Sequence, residues 1–308
     1  MVLSVLVVRC ANPQTGGLMA SYSFDYLLDK LSAAPFSENP FRHIEIKDFF
    51  SPEHFAAIVS DQRIVLPVVA GDRELLAAMD VAGYRVIYFP GTTKDLARYL
   101  DWHANRSGAV ENADTCESFG VVMRLEKFGE NGVLSELNSF FHSSNFLECV
   151  AGKFGISTDD VTLDAGIQKY LDGYEISPHP DIRRKALTWM SNINPAPNSE
   201  ALNIHTHYMS FRDEFDFVRK LWAERTDIDR AWVPWDWCET VKQQPANNSI
   251  VLFSPSDDTL HAVKANYDHL QTQRTQLYGN LWYKDVAQIS KWEWRQLLDQ
   301  KPVVSEPA

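Results

Sequence analysis

At 308 residues, with 45% apolar and 23% charged residues, the chain has the composition of an ordinary globular protein long enough to bury a large core. Its formal net charge of −12 argues against a nucleic-acid backbone or an anionic membrane as main partner, because like charges repel at long range. No internal repeat or low-complexity tract interrupts it.

In chain order, the opening run MVLSVLVVRC is apolar but lacks a charged lead-in and is too short to span a bilayer, so it reads as a strand or a loose terminus. FDYLLDKLSAA reads as a helix. SPEHFAAIVSD is a better marked one, with Ser51 as N-cap, Pro52 at the first helical position and Phe55, Ala56 and Ile58 as its apolar face. Further helices are expected at TKDLARYLDWHA and VLSELNSFFHSSNFLECVAGKFG, and strands at RIVLPVV, YRVIYF and FGVVMRL, which are short β-branched or aromatic runs. Cys10, Cys116, Cys149 and Cys238 are widely spaced without a CxxC pair, and read as free thiols in a reducing cytoplasm.

Past residue 160 the texture changes to strands divided by turn residues: IQKYL, KALTWMSNIN, LNIHTHYM, SIVLF, TLHAV and TQLYGNLWY. This is the pattern of a sandwich or barrel. A long excursion between LNIHTHYM and SIVLF holds an amphipathic helix, RDEFDFVRKLWAERT, and the aromatic cluster WVPWDWC, and long excursions of this kind are usually lids or binding loops. ISKWEWRQLLDQ reads as a closing helix and KPVVSEPA as a frayed end.

The chemistry concentrates around YEISPHPDIRRK. On an extended strand, residues two apart share a face, so His179 and Asp181 can reach one ion. An HxD recurs by chance, but an imidazole and a carboxylate are two of the three ligands in the facial triad of non-haem Fe(II) oxygenases, whose other coordination positions stay open. The third would be a histidine from a distant strand. Downstream, TLHAV offers His261, and Arg274 opens the next strand; were those two strands a hairpin turning at Tyr267 and Asp268, His261 and Arg274 would lie nearly opposite each other. A guanidinium fork there suits the carboxylate of a chelating 2-oxo acid.

With these residues in place, the run from Tyr170 and Gly173 through His179-Pro180-Asp181, LTWMSNINP, NNSIVLFSPSDDTLHAV, Arg274 and GNLWY resembles the catalytic core of Fe(II)/2-oxoglutarate-dependent dioxygenases, in the prolyl 4-hydroxylase-like branch. FRHIEIKDFFSPEHFAAI resembles the strand and helix that often precede that core. The resemblance implies an α+β fold with a double-stranded β-helix, or jelly-roll, core flanked by helices. It implies His179, Asp181 and His261 as iron ligands, Arg274 as the anchor of the 2-oxoglutarate C5 carboxylate, and Tyr170 as an aid to that anchor. The expected organisation is one domain over residues 1–308: helices and supporting strands over 1–159, the core over 160–285 with an inserted lid about 211–247, and a closing helix and tail over 286–308.

The implied reaction couples oxidative decarboxylation of 2-oxoglutarate by O₂ to hydroxylation of a C–H bond, with ascorbate as a reductant of the iron. Asp181 occupies the position where related halogenases carry a small residue, which favours hydroxylation and leaves desaturation or ring formation open. A small metabolite, such as a free or modified amino acid, is the first choice of substrate because the helical excursion could roof a closed pocket; a peptide or protein side chain is the alternative. Two other classes remain: a non-catalytic metal-binding jelly roll, and a zinc hydrolase, for which Arg274 has no use.

Other polar residues carry plainer readings beside functional ones. His205 and His207 form an HxH whose ordinary role is a hydrogen-bonded pair lining a sheet, although His207 is also a substrate-side candidate, as are Arg184 and Trp235. Arg183 and Arg184 otherwise read as solvated, and so does His269 in the proposed turn. Thr188 and Asn192 fall on one strand face.

Overall fold

The computed structural model describes residues 22–89, 92–105, 120–286 and 289. The opening run, Cys10, Cys116 and the expected closing helix lie outside the described residues.

The N-terminal layer holds helices α1 (Tyr26–Ala33), α2 (Pro52–Ser60), α3 (Asp72–Ala82), α4 (Leu96–Asn105), α5 (Val133–Phe141) and α6 (Ser144–Phe154), with strands β1 (Ile44–Ile46), β2 (Tyr84–Ile87) and β3 (Val122–Leu125) between them. Ser51 caps α2 as expected, its side chain accepting the His54 N–H at 3.2 Å. The long helix expected over 133–155 is two helices. Ser143 breaks it by accepting the Phe146 N–H at 3.1 Å, an N-cap that starts α6 afresh. The strand expected at RIVLPVV does not form. Its backbone is engaged elsewhere: the Arg63 carbonyl accepts from the Tyr84 hydroxyl at 2.8 Å, and the Ile64 carbonyl from the buried Lys169 ammonium at 2.8 Å.

The second half supplies β4 (Val161–Tyr170), β5 (Glu175–His179), β6 (Lys185–Asn192), β7 (Thr206–Phe211), helix α7 (Phe217–Glu224), β8 (Cys238–Gln243), β9 (Ile250–Phe253), β10 (His261–Lys264) and β11 (Arg274–Tyr283). They form two antiparallel sheets. One has the order β1-β9-β6-β11-β4-β3-β2 and the other β5-β10-β7-β8. From β4 onward the strands alternate between the sheets, except that β8 pairs beside β7 in the same sheet, the winding of a double-stranded β-helix with one added edge strand. The fold is thus α+β, with a jelly-roll core flanked by helices.

Alternation along the strands divides the side chains of the larger sheet. Leu187, Trp189, Ile250, Leu252, Leu277 and Leu281 face the helical layer and join Leu134, Leu137, Phe141 and Phe146 in the main core. The opposite face lines the barrel and is largely polar: Thr188, Asn192, Arg274, Gln276 and Asn280 are all buried there. Cross-strand registers pair them, Gln276 with Asn192 and Asn280 with Thr188, and Gln276 Nε2 donates to Asn192 Oδ1 at 2.9 Å.

The hairpin expected between His261 and Arg274 does not exist. β10 pairs with β5 and β7, whereas β11 pairs with β4 and β6, so the segment between them crosses from one sheet to the other. α7 and its flanks pack on the outer face of the four-stranded sheet, where Val218, Trp222, Ile228 and Val233 meet Met209, Leu260 and Ala262. The excursion after β7 ends in β8, the edge strand of that sheet.

Candidate metal centre

His179 ends β5 and His261 begins β10, and the antiparallel register sets them directly opposite each other. Their ring centroids are 4.4 Å apart. Asp181 lies two residues past His179, in the turn toward β6, with Oδ1 4.0 Å from His179 Nε2. One donor atom from each of these three residues lies within 4.8 Å of the other two. The sequence placed all three together, and the fold does so through the β5–β10 pairing.

Each imidazole is oriented by the backbone. His179 Nδ1 donates to the Ser177 carbonyl at 2.8 Å and His261 Nδ1 to the Thr259 carbonyl at 3.0 Å, which leaves each Nε2 as the bare acceptor nitrogen that a metal requires. Burial, with the neighbouring His261, pushes His179 down to about 3, and burial also lowers His261, so both rings are neutral at ordinary pH. Burial alone would raise the Asp181 carboxyl. The Lys185 ammonium, which is also hydrogen-bonded to it, overrides that effect and holds the Asp181 carboxyl below the ordinary carboxylate range. Thr188 Oγ1 donates to Asp181 Oδ2 at 2.6 Å, fixing the plane of the carboxylate. Two bare imidazole nitrogens and one carboxylate are the donor set of the 2-His-1-carboxylate centres.

Arg274 stands in the same barrel, 3% exposed, at the start of β11 and opposite Tyr170 of β4. Its Nη2 donates to Thr206 Oγ1 at 3.1 Å, and the guanidinium lies 4.4 Å from the Tyr170 ring centroid. Among the described residues no carboxylate pairs with it. A buried guanidinium with one hydroxyl partner retains donors for an anion. The Tyr170 hydroxyl donates instead to Gln168 Oε1 at 2.7 Å, so its contribution to Arg274 is the face of the ring. The donor set and the unpaired guanidinium together fit Fe(II) and a dicarboxylic 2-oxo acid.

The remaining sequence candidates lie elsewhere. Tyr208, opposite His261, packs inside the barrel with Phe253 and Met190, so His207 is on the other face of β7; there it meets Thr240 Oγ1 at 2.9 Å and the Trp235 ring at a centroid distance of 5.6 Å. Trp235 Nε1 donates to Glu175 Oε1 at 2.7 Å. Arg184 is exposed. Its neighbour Arg183 is not the solvated residue expected, since its guanidinium donates to the Ile228 carbonyl at 2.9 Å and the Trp222 carbonyl at 2.6 Å, fastening the excursion to the turn that carries Asp181.

His269 is also not solvated but 1% exposed, in a second cluster with Asp72 and His103 whose donor atoms converge equally closely. The hydrogen bonds distinguish the two clusters. His269 Nδ1 accepts the Asp172 N–H at 2.9 Å, so the proton sits on Nε2 and is given to Asp72 Oδ1 at 2.5 Å. Both His103 nitrogens face carboxylates, Asp72 at 2.8 Å and Asp172 at 3.0 Å. No lone pair of His269 is left for a cation, and the cluster is a hydrogen-bonded clamp between α3, α4 and the crossover before β11.

Lys185 is the site residue that the sequence did not mark. Its Nζ lies 2.6 Å from Asp181 Oδ1 and 2.8 Å from the Tyr278 hydroxyl. Counting alternation back from Leu187 puts Lys185 on the outer face. A register shift opposite Trp282, a β-bulge at Ala186, turns it inward.

No protein-family model matches the chain, and no curated protein matches it. Among solved structures it is similar to a prolyl-4-hydroxylase from Pseudomonas putida, at 11% identity and a TM-score of 0.40 over 84% of this chain and 98% of that one. It is also similar to a Trichoplax adhaerens prolyl hydroxylase in complex with a hypoxia inducible factor oxygen degradation domain peptide fragment, at 12% identity and a TM-score of 0.38 over 84% and 87%. A Burkholderia pseudomallei oxidoreductase of the 2OG-Fe(II) oxygenase family matches at 12% identity and a TM-score of 0.32 over 72% and 96%. Likenesses at these levels carry no inference about the activity of this chain, which rests on its own side chains.

Proposed function

We propose that this chain is an Fe(II)- and 2-oxoglutarate-dependent oxygenase that hydroxylates a C–H bond of a small metabolite. The observation that carries the reading is one barrel holding both a two-imidazole, one-carboxylate donor set and a buried guanidinium without a carboxylate of its own. His179, His261 and Asp181 would hold the ion, and Arg274 the far carboxylate of 2-oxoglutarate. When bound, the iron and 2-oxoglutarate supply the activation of O₂, with succinate and CO₂ as co-products.

The chain's part is orientation and exclusion of water. The Ser177 and Thr259 carbonyls keep both imidazoles in the ligating tautomer, and Thr188 keeps the carboxylate from rotating. Arg274 is already desolvated, so an entering carboxylate gains more there than it would at the surface. Phe253 packs on His261 with ring centroids 5.1 Å apart and Phe41 on Phe253 at 5.3 Å, and Phe41 also lines a cleft of about 340 Å³ with Arg42, Asp216, Arg219 and Leu260. The burial of Asp181, His261 and Arg274 favours a small substrate over an extended peptide. A zinc hydrolase would leave Arg274 without an anion, which is why that reading is set aside.

The test is succinate release from 2-oxoglutarate with Fe(II), ascorbate and O₂, across a panel of small metabolites and peptides. Metal-dependent succinate that disappears in Asp181→Ala supports the oxygenase, and the panel member that raises the rate identifies the substrate class. No metal-dependent succinate under any condition counts against it.

A further inference from the structure

The carboxylate that completes the metal site is already held by a cation of the protein. Asp181 Oδ1, the oxygen 4.0 Å from His179 Nε2, is also the oxygen 2.6 Å from Lys185 Nζ. Asp181 Oδ2 receives the Thr188 hydroxyl, so both oxygens are engaged by the protein. A buried carboxylate without a counter-charge is strongly unfavourable, and the ammonium meets that need. A divalent ion and Lys185 therefore compete for one oxygen.

Lys185 has a second place to rest. The Tyr278 hydroxyl lies 2.8 Å from its Nζ, and the ring centroids of Tyr278 and Trp282 lie 5.5 and 5.4 Å away. An oxygen acceptor and two aromatic faces can hold the ammonium after it releases Asp181. The bulge at Ala186 brings Lys185 to this position, where regular pleating would turn it to the helical layer.

We propose that Lys185 is a positioning residue that acts as the exchangeable counter-ion of Asp181. In the metal-free protein its ammonium is the buried counter-charge of the carboxylate and keeps it aimed at the two histidines. On metal uptake it gives up Oδ1 and shifts onto Tyr278 and Trp282. The inference rests on the reading of His179, Asp181 and His261 as the metal site, and its consequence is that Lys185 lowers metal affinity while stabilising the metal-free chain.

The test is anaerobic calorimetric titration of the full metal-free chain with Mn(II), for the wild type, Lys185→Met, Lys185→Gln and Lys185→Arg, with the melting temperature of each form. The Met and Gln variants bind Mn(II) about tenfold tighter or more, with a lowered melting temperature in the metal-free form that Mn(II) restores, and the Arg variant keeps the wild-type affinity. Gln retains a hydrogen-bond donor without the charge, so it decides the matter if the Met variant does not fold. Equal or weaker Mn(II) binding in the uncharged variants overturns the counter-ion role while leaving the metal site standing. A wild type that takes up no Mn(II) overturns both.

Discussion

The guanidinium of Arg274 lies 4.4 Å from the ring centroid of Tyr170, its partner across the β11–β4 pair. The Tyr267 hydroxyl ties the same corner, accepting the Arg274 N–H at 2.9 Å and donating to the Tyr170 carbonyl. Arg274 is thereby held rigidly with its remaining donors unspent, as an anion anchor requires. Replacing it with Met should raise the 2-oxoglutarate concentration for half-maximal succinate release by about a hundredfold, the usual scale for truncating one partner of a buried charged pair, and lower the maximal rate far less. Arg274→Lys should recover part of the loss. Unchanged 2-oxoglutarate dependence in the Met variant would reject the anchor.

Asp181→Ala should abolish both stoichiometric metal uptake and turnover, since it removes the one anionic donor of the set. Thr188→Val is the finer probe. It removes the 2.6 Å hydrogen bond to Asp181 Oδ2 at nearly constant volume and should weaken Mn(II) binding by about tenfold with little change in melting temperature of the metal-loaded form. Calorimetry would show it, and an unaltered affinity would mean that the threonine does not orient the carboxylate.

Stability should fall in acid before the ordinary carboxylate range is reached. His43, His179, His205, His207, His261 and His269 all have pKa values lowered from 6.5, in each case with burial as the largest cause. Their unfolded forms take up protons near pH 6.5 while the folded forms resist, so the stability present above that pH is lost progressively as the pH falls through it. Urea midpoints measured at about pH 7.5 and about pH 5.5 should differ, with the lower midpoint in acid. A midpoint independent of pH across that window would show that these rings are not held neutral.

A packing prediction concerns Gly279, whose cross-strand partner is Trp189. A Cβ at Gly279 would run into the Trp189 indole and the Asp164 carbonyl, and Trp189 is fully buried against Phe146, so it has no room to yield. Gly279→Ala should destabilise the fold by roughly 1–3 kcal/mol, read from urea unfolding at neutral pH. Wild-type stability in that variant would show that the indole can move.

The legible part of the sequence was the part written in local chemistry. Strong alternation and β-branched runs marked β4, β6, β9, β10 and β11, and the caps marked α2. The three residues of the candidate metal centre were recognisable by residue type and order. Strand pairing was not, because register between remote segments is decided by what the whole sheet buries; hence the false hairpin between β10 and β11. α3 has Gly71 at its N-cap and so no capping side chain, and β8 is an edge strand with mostly exposed residues, so neither announced itself. Lys185 was hidden by a one-residue bulge that reverses the face read from alternation. His269 looked like a turn residue because nothing near it in sequence reveals that the crossover is clamped by Asp72 from the helical layer.

The most direct measurement is anaerobic calorimetric binding of 2-oxoglutarate to the purified chain with and without Fe(II). The account predicts one 2-oxoglutarate per chain, bound only when the metal is present, and lost in both Asp181→Ala and Arg274→Met. Binding that ignores the metal, or no binding to an iron-loaded wild type, would contradict it.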